Sequence, residues 1–335
     1  MRTGDPQTAS ALLAQGTAHV PVGSRRRAVT RWIVRNGAAS WIIVAAVVVL
    51  LVAASPGTFL RSSNVAGVLS DCTVLGLVGI GETFVLLSGG IDLSVGSLAT
   101  LTTVLVAGMI NGHAALVLPV VLLMMAIGAA VGCMHGVLVT KAGISPFIVT
   151  LSSYFILAGI AYGYTSLPVG SVPTGVSNFF LGSVGPLPWS FLIVAVIGTI
   201  LSIILARTRF GRHVYAVGGD PESARTAGLN VARITILCYV LSGVLAALAG
   251  CVLAFRAGVG TPNAGSGLEL LAITASVIGG TSLTGGRGRL LGTAGGVVLL
   301  SLVQDAFLLL AVESYYQNVV TGAVIVFAVA IFVES

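Results

Sequence analysis

Residues 207–233 read RTRFGRHVYAVGGDPESARTAGLNVAR, a polar stretch with five arginines between two apolar runs, 189–206 and 233–255. Each run is close to the ~20 residues a helix needs to cross a bilayer. The stretch is then an inter-helix loop, and its Arg content puts it on the cytoplasmic side, where Lys and Arg collect. Inside it, Asp220 before Pro221 is an N-cap and first-turn signal. Glu222 adds favourable charge to that turn, and Gly228 reads as a stop. The spacing therefore predicts one short helix, about 221–227, with an Ala-rich side of the kind that docks into a partner's groove.

Working outward, apolar segments recur at 39–55, 65–88, 94–110, 114–138, 146–164, 189–206, 233–255, 267–284, 290–311 and 316–333. Two are weaker. The segment 65–88 contains Asp71 and Glu82, and 267–284 is Gly-rich and short enough in its apolar part to be re-entrant. Of 335 residues, 8% are charged and 56% hydrophobic, with a mean hydropathy of +1.07. A water-soluble fold of this length cannot hide that much apolar surface. The runs are continuous rather than alternating, which excludes an outer-membrane barrel. With a cytoplasmic amino terminus and alternating sides, 14 cations fall inside and only Arg61 and Arg256 outside. Removing one span before residue 207 would put the Arg-rich loop outside. The expectation is an all-α polytopic membrane protein with about ten transmembrane helices and both termini cytoplasmic. A polar, Arg-rich cytoplasmic tail (1–37) precedes a transmembrane domain (38–335) with the loop 207–233. Ser24-Arg25-Arg26 faintly resembles a twin-arginine export signal, but the tail is long for one and many more spans follow.

Gly89-Gly90-Ile91-Asp92-Leu93-Ser94-Val95-Gly96-Ser97 joins two spans. Asp92 or Ser94 can cap the following helix, or serve gating or a substrate path. Gly279-Gly280 likewise precedes a small-residue turn. The two pairs raise an internal two-repeat architecture, with coincidence as the alternative. The 279–289 segment is no phosphate loop, because Lys141, the one lysine, follows Thr140 and no Gly-Lys pair exists. The chain therefore lacks the standard means of binding ATP itself. Asp71, Glu82, Asp92, Glu269, Asp305 and Glu313 lie in or near apolar runs, and burying one costs at least ~2.5 kcal/mol. Each must sit near an interface or face a polar interior. Cys72, Cys133, Cys238 and Cys251 show no CxxC pair and read as small apolar packing groups, and no metal site is expected. The histidines are His19, His113, His135 and His213. Of these only His135 falls plausibly within a span, without a nucleophile elbow, which argues against an intramembrane hydrolase.

Five pieces in order, Gly89–Ser97, Gly143–Leu151, Arg209–Gly228, Val240–Gly243 and Gly279–Thr293, resemble the ribose-type permease subunits of bacterial ABC importers, which serve ribose, xylose, rhamnose and autoinducer-2-like sugars. The resemblance implies a multi-pass permease of the bacterial cytoplasmic (inner) membrane, forming the path for a sugar or similar small polyol. It implies no cofactor on this chain, ATP used by a cytoplasmic ABC ATPase, a periplasmic or lipid-anchored sugar-binding protein, a second permease subunit (the same chain or a sibling), and no nucleic acid. The family's coupling loop maps onto Gly211, Arg212, Gly218, Gly219, Glu222, Ala224 and Gly228. Polar path candidates are Glu82, Asp92, Asn178, Glu269 and Gln304. Many relatives carry an Asp shortly after the Glu of the eighth span, where this chain has Leu271 after Glu269 and Leu270, so the resemblance implies no polar pair there. The competing class is an ion-coupled secondary transporter, favoured by the intramembrane carboxylates and disfavoured by the docking-like loop.

Overall fold

The computed structural model describes residues 38–310 together with Tyr316, Val319, Gly322 and Ala323. The tail 1–37, Glu313 and most of the tenth expected span lie outside the described residues. The elements are α1 (Ala38–Ala54), α2 (Pro56–Phe59), α3 (Ser62–Leu87), α4 (Val95–Ile110), a 3-10 turn (Ala114–Leu116), α5 (Val117–Thr140), α6 (Pro146–Tyr164), α7 (Thr174–Leu181), β1 (Ser183–Val184), β2 (Leu187–Pro188), α8 (Trp189–Arg207), α9 (Arg209–Gly219), α10 (Pro221–Thr226), α11 (Val231–Ala257), α12 (Leu268–Ile278) and α13 (Leu290–Leu309).

Among the described residues six helices are long and apolar enough to cross a membrane: α3, α5 with its preceding turn, α6, α8, α11 and α13. The apolar stretches of α1, α4 and α12 are shorter. The doubt over 267–284 is explained by α12, which has only 11 residues. Gly267 at its start and Gly280 beyond its end both take positive φ, +86° and +87°, and a helix cannot run through them.

Helix α3 is the hub, despite Asp71 and Glu82. Its apolar stretch is 89% buried, against 17% for α5 and α8, which present Leu118, Leu122, Ile200 and Ile203 outward. Long apolar side chains on an outer helix face are what lipid solvates. Helix α11 packs along α3, α4 and α5. The segment 165–188, which carries no charged residue, is not wholly helical: β1 and β2 form a small antiparallel hairpin with Ser183 opposite Pro188. A bridge between Val169 and Gly260 ties this loop to the segment after α11.

Candidate functional site: a helix pair wired to two broken helices

The loop 207–233 carries two helices rather than the single one expected. The predicted short helix is α10, capped as anticipated: Asp220 Oδ1 accepts the backbone N–H groups of Glu222 (3.0 Å) and Ser223 (3.2 Å). The Ser223 hydroxyl also donates to Asp220, and this bond leads the contacts that hold the Asp220 carboxyl below its usual range. The sign is that of a depressed carboxylate. The cap is complete above the ordinary Asp value of about 4 and is lost as pH falls through the lowered one, so it is constant at neutral pH.

The unforeseen helix is α9. Gly211, Gly218 and Gly219 depress its propensity by up to ~1 kcal/mol each, and this masked it. The signal was present in the spacing of Phe210, Val214 and Val217, which recur at helical intervals after Thr208, whose hydroxyl accepts the Gly211 N–H. Val214 and Val217 are buried, and Phe210 stacks on Phe84 of α3 at 6.2 Å.

The coupling candidates divide by face. Arg212, Gly219, Glu222 and Gly228 are exposed, whereas Gly211, Gly218 and Ala224 are buried against the chain itself. Ala224, 5% exposed, is therefore part of the seat of α10 rather than its free surface. Glu222 and Arg225 form an exposed ion pair at 2.9 Å.

The inner face of α9 is fixed to two other segments. A Cβ on Gly218 would overlap the Leu87 carbonyl at the end of α3 and stand 2.7 Å from the Gly286 nitrogen. Gly286 N–H donates to that same Leu87 carbonyl (3.0 Å), and Tyr215 Oη donates to the Gly288 carbonyl (2.8 Å). So the ends of α3, of α9 and of the 279–289 turn meet backbone to backbone.

From this junction α3 leads to the path candidates. Glu82 is fully buried, and its Oε1 accepts the Asp92 N–H (3.3 Å). Asp92 is 1% exposed. Its Oδ1 accepts Ser94 N–H (3.0 Å) and Ser94 Oγ (2.6 Å), and its Oδ2 accepts Ser242 Oγ of α11 (2.9 Å). Asp92 thus fixes the turn ahead of α4, and no side chain caps that helix. Tyr239 Oη and Thr150 Oγ1 donate to the Ile91 carbonyl (3.2 and 3.3 Å). One residue on from Glu82, the Thr83 hydroxyl meets Ser276 of α12 (3.1 Å) and Thr293 of α13 (2.7 Å).

The candidates therefore do not form one group. Glu82 and Asp92 come together. Glu269 lies against Gly96, near the start of α4. Gln304 sits, half-buried, toward the other end of the hub, beside Asp305, which accepts from Asn64 at 3.0 Å. Asn178 is exposed on α7, near the C-terminal end of α11. Sequence reading missed Ser242, Tyr239, Thr150, Ser276 and Thr293. Each is a lone hydroxyl in an apolar run, and nothing but the fold shows that they converge. Asp92→Ala is expected to leave the Ser94 and Ser242 hydroxyls unpaired in a dry interior, destabilising the chain by roughly 2–4 kcal/mol. Asp92→Asn, which keeps an acceptor, should cost less. Thermal denaturation in detergent checks the order, and equal melting of the two variants would contradict it.

A family model described as "Branched-chain amino acid transport system / permease component" matches residues 64–329. Ribose import permease protein RbsC of Bacillus subtilis (strain 168) is 40% identical over 293 residues, covering 84% of this chain and 88% of that protein. The Escherichia coli (strain K12) protein of the same name is 36% identical over 315 residues, covering 92% and 97%. D-allose transport system permease protein AlsC of Escherichia coli (strain K12) is 34% identical over 293 residues, covering 87% and 90%. No solved structure matches.

Proposed function

The chain belongs to the permease-component family whose model matches residues 64–329, and from that premise we propose that it is the membrane-spanning subunit of an ATP-driven importer for a sugar or similar small polyol. The family description speaks of amino acids and the relatives' names of sugars. The relatives weigh more for substrate class, because they align at 34–40% identity over most of the chain. The ion-coupled alternative finds no support among them.

The observation that carries the reading is the pair α9–α10. Its outer face is charged and exposed, through Arg212, Glu222 and Arg225, while its inner face is fixed to the ends of α3 and the 279–289 turn. A cytoplasmic ATPase pressing on the outer face would move α3, and α3 touches the turn before α4 through Glu82 and the α12–α13 pair through Thr83. On this reading the chain spans the bacterial cytoplasmic membrane about ten times with both termini inside. It pairs with a second permease chain and receives its sugar from a periplasmic or lipid-anchored binding protein. It binds no cofactor of its own, and ATP is hydrolysed on the partner. Gly211, Arg212, Gly218, Gly219, Glu222, Ala224 and Gly228 form the coupling region. Of the five path candidates, Glu82 and Asp92 act as the link that positions α4.

The test is reconstitution with ATPase and binding protein in sealed vesicles. ATP-dependent sugar uptake that persists with an ionophore is expected, and uptake abolished by the ionophore and indifferent to ATP would overturn the proposal. Reversing the exposed charges together (Glu222→Arg with Arg225→Glu) keeps the intrachain pair. Its expected effect is a weaker hold on the ATPase in co-purification, with the permease's elution profile unchanged.

A further inference from the structure

Two helices begin level with the middle of a third, which on the importer reading crosses the bilayer. The Asp92–Ser242 bond and the packing of Gly250 against Ala99 and Thr102 set the start of α4 level with the middle of α11, whose 27 residues run from Val231 to Ala257. After α11 the chain turns back along α4 without helix. Gly260 lies against Thr103 and Val104, Gly265 N–H donates to Thr100 Oγ1 (2.9 Å), and Glu269, in the first turn of α12, lies against Gly96. Residues 258–267 thus descend as irregular backbone beside buried helices, and α12 starts level with the start of α4.

Irregular backbone at such depth is tolerated only where protein buries it or it lines water. One side of this segment is covered by α4. The other is open: Asn263 and Ser266 are exposed. Glu269 is 8% exposed. Its Oε1 accepts Gly267 N–H (3.2 Å), while its Oε2 has no hydrogen-bond partner among the described residues. Lipid on the open side would solvate none of these groups.

We infer that residues 261–269 line a water-filled part of the translocation path, and that the Glu269 carboxylate is a binding site for the hydroxyl groups of an uncharged polyol. An acceptor with a free lone-pair site takes a sugar hydroxyl as donor. The inference rests on the importer reading above.

The test uses the assembled importer in vesicles, with Cys133, the exposed native thiol, replaced by Ala. Ser266→Cys and, independently, Asn263→Cys are treated with a charged, water-soluble methanethiosulfonate. Both are expected to react, and a mixture of D-ribose and D-allose should slow the reaction. Adding Glu269→Gln should raise the sugar concentration for half-protection about tenfold, the loss expected for a hydrogen bond to a charged group. Reaction only with a membrane-soluble maleimide would place the segment against lipid and overturn the inference. So would absent protection, or protection unchanged by Glu269→Gln. Failure of the importer reading is separately visible, as missing ATP-dependent uptake by the unsubstituted protein.

Discussion

Gly132→Leu is expected to abolish the folded protein, while Gly159→Leu leaves it intact. Gly128, Gly132 and Gly136 recur every fourth residue along one face of α5, and that face lies on α11. A Cβ on Gly128 would overlap the Gly243 carbonyl, and one on Gly132 the Tyr239 carbonyl. One on Gly136 would stand 2.5 Å from Ile236 Cα. All three obstacles are backbone, so no side chain can swing aside. Apolar side chains gain nothing by leaving lipid for a helix interface, so close backbone packing is a principal attraction there. Forcing the helices apart costs about 3 kcal/mol or more, a large share of a marginal total. It also moves Tyr239 and Ser242, which hold the turn before α4 through Ile91 and Asp92. Gly159 of α6 has open space where its Cβ would point. Size-exclusion profiles and thermal melting in detergent read both variants. A Gly132→Leu protein that elutes and melts like the unsubstituted one would mean that α5 and α11 do not touch along this face.

The glycine triplet was not read in advance, whereas the two helices that it joins were expected as the apolar runs 114–138 and 233–255. Apolar run length marked nearly every long helix, because a bilayer imposes one length on them all: the expected 146–164 coincides with α6, and 189–206 with α8 to one residue. Helix breaks were legible as glycine pairs, since Gly89 and Gly280 do take the left-handed φ of +84° and +87°. Where the broken ends go was not legible. Nothing local says that Gly265 returns to Thr100, or that Glu82, twelve residues before Ser94, bonds to the turn between them. Those placements are set by long-range packing, in which one hydroxyl such as Ser242 counts and leaves no periodic trace. The α9 helix was missed for the opposite reason. Its glycines lower its propensity while serving the close approach that holds it in place, so local preference and tertiary packing disagree at the junction of α9 with the end of α3.

That disagreement gives the second large effect: Gly218→Ala should cut the sugar taken up per ATP hydrolysed at least about tenfold, and Gly219→Ala, which alters only the outer face, should keep that ratio within about twofold of the unsubstituted protein. The two variants add the same methyl group at adjacent positions of α9, and both gain helix propensity. At Gly219 the new carbon meets nothing within 4 Å. At Gly218 it meets the Leu87 carbonyl and the Gly286 nitrogen, the pair joined by the 3.0 Å bond between α3 and the 279–289 turn. Relief requires α9 to lift from that junction. Overpacking of this kind costs about 1–3 kcal/mol, and 1.4 kcal/mol spent against the coupled state is already a factor of ten. The exposed face of α9–α10 is untouched, so the ATPase should remain bound and hydrolyse ATP without moving sugar. The informative measurement is therefore the ratio of sugar taken up to ATP hydrolysed, in vesicles where size-exclusion shows the complex assembled. A ratio equal in the two variants would mean that force does not pass through the contact of α9 with the end of α3. A falling ratio for Gly218→Ala alone would place the transmission at one backbone contact, between the proposed coupling loop and the helix that touches both breaks.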